Sequence, residues 1–175
     1  MDLEQAIQKN RIIEIKFSSS QRATYSGVCL KANKYVWLIV NYDFKRKMFD
    51  GFSVVRNKDI ESYAVYKNNS LDIRINNLID FLDVLPLNKV NTFYSALKEA
   101  KNKGLVAIFI GGNDKSYYVG KILSVSRQKV QTRLIDKKGY WSKTKKFKIA
   151  DIDFFSFLTR YETGLLKMVE KRASK

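Results

Sequence analysis

The residues best placed to do chemistry are three carboxylate pairs: Asp59 with Glu61, Asp80 with Asp83, and Asp151 with Asp153. In a strand, residues two apart share a face, so Asp151 and Asp153 could jointly hold a magnesium ion. More often such acids neutralise neighbouring lysines. Nothing else completes a catalytic set. The chain has no histidine, and so lacks the commonest general base and metal ligand. Its one cysteine, Cys29, lies in an alternating apolar stretch and reads as core; alone, it permits neither a Cys–His pair nor an internal disulfide. "GGNDKS", residues 111–116, lacks the spacing of a phosphate-binding glycine loop and reads as a hairpin turn. These residues predict no enzyme and no cofactor.

Binding chemistry is far better represented. Lys and Arg number 33 against 17 acids, a net charge of +16. Residues 104–175 alone hold 16 of those basic side chains and only 6 of the acids. A field of that sign attracts polyanions, nucleic acid first, with anionic membrane or an acidic protein behind it. In the stretches "RQKVQTR" (127–133) and "KKGYWSKTKKFK" (137–148), Arg127, Arg133, Lys137, Lys138, Lys143, Lys145, Lys146 and Lys148 surround Tyr140 and Trp141. Rings that stack on bases, set among cations that track phosphates, are the composition of a single-strand binder. A thinner copy occurs at Lys45, Arg46 and Lys47, between Phe44 and Phe49, with Arg56 nearby. The bland alternative is a solvated lysine-rich hairpin whose rings pack back on the body.

The elements that must position these residues come in two similar series. A short helical pattern, "LEQAIQK" at 3–9 or "FYSALKEAKNKG" at 93–104, leads each. Asp2 caps the first, Asn91 or Thr92 the second, and Gly104 stands where a helix end favours a left-handed residue. Strands follow at 11–17, 23–32 and 34–43, and again at 104–110, 116–125 and 129–136. Gly27 and Gly120 take matching places in the second strand of each series, where glycine marks a sharp bend or a close backbone approach. "GFSVVRNKDIESYAVY" (51–66) then supplies a fourth and fifth strand; "KKFKIADIDFFSFL" (145–158) does so in the second series, with Asp151-Ile152 answering Asp59-Ile60. Between the series, Leu78, Ile79, Phe81, Leu82 and Leu85 recur at helical spacing until Pro86. The predicted organisation is a first unit at 1–66, a helical connector at 67–91, a second unit at 92–160 and a C-terminal helix with a basic tail at 161–175.

Helix, five bent strands, a Gly in the second strand and a Val-Arg before the fifth resemble the Sm-like (LSm) family, and more broadly the small SH3-like barrels. The stretch at 11–40 resembles the first Sm signature and 52–65 the second. The resemblance implies a mainly β protein with helices (α+β): two helix-plus-five-strand barrels joined by the connector. It also implies RNA rather than DNA as the target, and edge-to-edge joining of barrels into a homo-oligomer. Where the family contacts RNA, the first series holds Asn33, Trp37, Arg56 and Asn57, and the second Ser126, Val130, Lys148 and Ile149. A protein-interaction module gripping an acidic partner is the rival class. No apolar run approaches the roughly 18–20 residues of a membrane span, and the charged N-terminus does not read as a signal peptide, so the expected location is the cytoplasm.

Overall fold

A computed structural model describes residues 1–18, 24–66, 87–110 and 116–174. Helix α1 (Leu3–Gln8) starts at Asp2, whose side chain accepts from the backbone N–H of Gln5 at 2.8 Å. Strands β1 (Ile12–Phe17), β2 (Thr24–Ala32), β3 (Val36–Asp43) and β4 (Met48–Arg56) follow, then a 3-10 turn (Asn57–Asp59) and β5 (Ile60–Val65). Helix α2 (Phe93–Ala100) opens the second half, followed by β6 (Leu105–Ile110), β7 (Ser116–Val125), β8 (Lys129–Ile135) and β9 (Trp141–Lys148). Another 3-10 turn (Ile149–Asp151), β10 (Ile152–Phe157) and α3 (Arg160–Ala173) complete the chain.

The expectation of two separate barrels joined by a helical connector is overturned. The ten strands of the described residues form one antiparallel sheet, ordered β5-β1-β2-β3-β4-β10-β6-β7-β8-β9. The seam is the β4–β10 ladder, in which Phe154 faces Val55 and Phe157 faces Phe52. An open strand edge exposes unpaired N–H and C=O groups, and this ladder satisfies one such edge from each half. The core crosses the seam as well. Ile12, Val40 and Val54 belong to the same buried cluster as Ile122, Val130 and Phe155. Of the expected connector, Leu78, Ile79, Phe81, Leu82, Leu85 and Pro86 lie outside the described residues, while Leu87–Lys89 form a 3-10 turn.

Within the one sheet, the two halves share an internal order: β5-β1-β2-β3-β4 in the first, β10-β6-β7-β8-β9 in the second. Gly27 and Gly120 behave alike too. A Cβ on Gly27 would collide with the carbonyl oxygen of Val40, and one on Gly120 with that of Arg133. Strand β3 or β8 thus presses on its neighbour where no side chain intervenes.

The helices brace this sheet. On α2, Phe93, Ala96, Leu97 and Ala100 are buried, the i, i+3, i+4, i+7 stripe of an amphipathic helix. Helix α3 begins with a capping box in which Thr159 and Glu162 satisfy each other's backbone N–H groups. Glu162 is buried, accepting from the Ser156 hydroxyl at 2.8 Å and the Thr159 N–H at 2.8 Å; its burial pushes its pKa up. The N–H of Arg160 donates to Asp50 at 2.7 Å, and its guanidinium reaches Asp43 at 2.8 Å, tying α3 to the β3–β4 hairpin. Among the described residues, no helix is long and apolar enough to cross a membrane.

Candidate nucleic-acid interface

Strand β8 alternates: Val130, Thr132 and Leu134 are buried, while Lys129 and Arg133 are exposed and Gln131 is half-buried. Cross-strand partners share a face, so pairing in the register extends the outer row sideways. Lys129 lies opposite Lys148, Gln131 opposite Lys146, and Arg133 opposite both Thr144 on β9 and Lys121 on β7. Lys121, Lys146 and Lys148 are all exposed. Like charges directly opposite destabilise a sheet. This face carries two such pairs, Lys129–Lys148 and Lys121–Arg133. Among the described residues, the ion pairs join Lys16 to Glu61, Lys58 to Asp59, Arg46 to Asp43, and Arg160 to Asp43 and Asp50; none involves this row.

At its β7–β8 end the row meets a cleft of about 470 Å³ lined by Arg56, Arg127, Gln128, Lys129, Lys148, Ile149 and Ala150. Arg127 lies in the turn that Ser126 closes by accepting from the Lys129 N–H at 3.0 Å. Arg56 contributes less than its position suggests. Its Nε donates to the Ile152 carbonyl at 2.8 Å, its Nη2 donates to the Ile149 carbonyl, and its Cζ sits 4.1 Å from the Phe93 ring centroid. Half-buried and desolvated, its pKa is lowered. It is a clamp across the seam, with two of its five N–H donors committed to backbone carbonyls.

The other residues singled out from the sequence divide among several places. Lys145 points away from the row: its Nζ lies 3.8 Å from the ring centroid of Tyr118, whose pKa it lowers by hydrogen bonding. Lys143 is exposed and bears electrostatically on the same phenol. Lys137 and Lys138 are exposed in the β8–β9 turn, which Asp136 pins by accepting from the N–H groups of Lys138 and Tyr140. Tyr140 is 56% exposed, but the Arg172 guanidinium covers its ring at 4.0 Å. Trp141 is half-buried against the cluster of Leu105, Ile135 and Leu165, with Arg133 over it at 5.2 Å. In the first hairpin Lys45 and Lys47 are exposed, while Arg46 is held by Asp43 at 3.0 Å.

The positions matched to family RNA contacts in the first half are engaged in local structure. The Trp37 Nε1–H donates to Asn57 at 2.8 Å, and Asn33 accepts from the N–H groups of Tyr35 and Val36. Among the described residues no three acids or thiols converge as a metal centre would need, and Asp80 and Asp83 lie outside those residues. Asp151 is exposed at the end of its 3-10 turn and Asp153 is half-buried on β10. Burial drives the Cys29 thiol up to about 12, as suits a core residue.

Two members of the row, Lys121 and Lys129, do not stand out in the sequence. Alternation is the signal that could have found Lys129, because it stands four residues from Arg133 on one strand. Lys121 needs the β7–β8 register. No protein-family model, characterised protein or solved structure matches the chain.

Proposed function

We propose that this chain is a non-catalytic nucleic-acid-binding protein that uses the outer face of β7–β9, with RNA ahead of DNA as target. The observation that carries the reading is the row of exposed cations aligned across β7, β8 and β9 with no ion-pair partner among the described residues. A sheet gains nothing in stability from opposed lysines, so the arrangement is best explained by a polyanion that neutralises them. The RNA preference rests on the resemblance to Sm-like proteins, supported by the strand order common to both halves. Polarisation of a labelled single-stranded RNA, titrated with the protein at several salt concentrations, tests it. Binding that weakens linearly in log–log coordinates with salt is expected; no binding at low salt would refute the proposal.

A second reading, assembly with further copies, draws on the sheet edges. Among the described residues, β5 pairs only with β1 and β9 only with β8, leaving two open edges on the described sheet. Pairing of β9 with β5 of another copy would repeat the kind of ladder made at β4–β10. Light scattering across a concentration series decides it: a mass above 20.4 kDa that rises with concentration supports assembly, and a constant monomer mass excludes it.

A further inference from the structure

Resting on the nucleic-acid reading above, we propose that the β7–β9 face grips the phosphodiester backbone of a single strand and is indifferent to its bases. Along β8, Lys129, Gln131 and Arg133 succeed one another on one face in two-residue steps, about 6.5–7 Å each. Neighbouring strands add a second side chain to each step, about 5 Å to the side. The result is three rungs: Lys129 with Lys148, Gln131 with Lys146, and Arg133 with Lys121. That pitch matches the phosphate-to-phosphate step of an extended polynucleotide, so a strand laid along β8 meets one cationic rung per nucleotide. Arg127, in the adjoining turn, extends the track past Lys129.

The chemistry of the rungs favours the backbone. Four of the five cations in the rungs are lysines, point charges that accept a phosphate from many directions and impose no planar pairing. Base reading would need open rings, and the two rings of the adjoining hairpin each carry a guanidinium already: Arg133 over Trp141 and Arg172 over Tyr140. The track therefore holds charge at a fixed spacing, without a stacking platform.

The test compares a fluorescein-labelled oligothymidylate with an abasic phosphodiester of the same length, by polarisation over a salt series. The two should bind within about threefold of each other, with a log–log salt slope of about −2 to −3 for three or four phosphates. Lys146→Glu and Arg133→Glu, both exposed and verified as folded by circular dichroism, should each weaken binding about tenfold at low salt and flatten the slope. Lys9→Glu, at the C-cap of α1, should change neither. If oligothymidylate binds but the abasic chain loses more than about thirtyfold, the bases carry the affinity and the backbone track falls, while the nucleic-acid reading stands. If neither oligomer binds at low salt, both fall; capture of polyglutamate in that case would assign the face to an acidic protein.

Discussion

The guanidinium of Arg56 lies 4.1 Å from the ring centroid of Phe93 while donating to the backbone carbonyls of Ile149 and Ile152. A residue at the end of β4 is thereby fastened to α2 and to the turn before β10, beside the ladder that joins the halves. Hydrogen bonds from a charged donor contribute about 1.5–3 kcal/mol each. Arg56→Ala should lower the free energy of unfolding in urea by about 2–4 kcal/mol. Because two of its donors hold backbone carbonyls and its guanidinium packs on Phe93, the salt slope of RNA binding by the folded variant should match wild type. A slope change equal to the loss of a phosphate contact would instead make Arg56 a ligand.

The close approach at the paired glycines predicts matched defects. Gly27→Ala and Gly120→Ala each place a methyl group against a backbone carbonyl that cannot move without parting two strands. Each should cost about 1–3 kcal/mol, measured by denaturant midpoint at unchanged m-value. Gly164→Ala is the control: a methyl group there would meet nothing within 4 Å, and on a helix alanine is the better former. That substitution should leave stability unchanged or raise it.

The hairpin–helix tie predicts an acid limb. Hydrogen bonds from Arg46, and then from Arg160, hold the Asp43 carboxyl down at about 2. A depressed carboxylate contributes stability that is present above its unfolded value near 3.8 and is lost as pH falls towards 2. Asp43→Asn should therefore lie below wild type at neutral pH and lose less between pH 4 and pH 2. Glu162 has the opposite sign. Raised by burial, it contributes stability below its unfolded value that is lost as pH rises through its folded one. Melting curves across acid pH separate the two limbs.

Trp141 tests whether the hairpin is packing or platform. Its contacts with the Leu105, Ile135 and Leu165 cluster predict that Trp141→Ala costs about 2–4 kcal/mol of stability. At temperatures where the variant stays folded, its affinity for single-stranded RNA should fall less than about threefold, since one rung contact, Arg133, merely loses its support. A loss beyond tenfold without change in melting would make the indole a base-stacking surface.

Much of the fold can be read from local pattern. Asp2 and Thr92 each act within a few residues of chain, by capping, and strands such as β1, β3, β6 and β8 fall where apolar alternation places them, whereas most of β9 lies in the lysine-rich stretch that reads as a turn. Partnership between strands is another matter. Nothing in the local pattern of β4 states that Val55 will face Phe154 rather than end a closed barrel, because that pairing spans about a hundred residues and is decided by which edges remain unsatisfied. The site divides in the same way. Composition locates the basic stretch, but not that Lys145 and Lys146 fall on opposite faces, nor that Lys121 joins Arg133 across the β7–β8 ladder. Register converts a charge-rich sequence into a directed row.

The most direct measurement of that row is the salt dependence of single-stranded RNA binding by two paired variants. One is Arg133→Ala with Lys146→Ala on the β7–β9 face; the other is Lys45→Ala with Lys47→Ala in the first hairpin, which removes the same charge. The first should weaken binding at least tenfold and reduce the slope by about 1.4, two contacts at roughly 0.7 each; the second should stay within about threefold of wild type. Equal, shallow losses from both would mean that net charge alone draws the RNA, and would contradict a defined interface on this face.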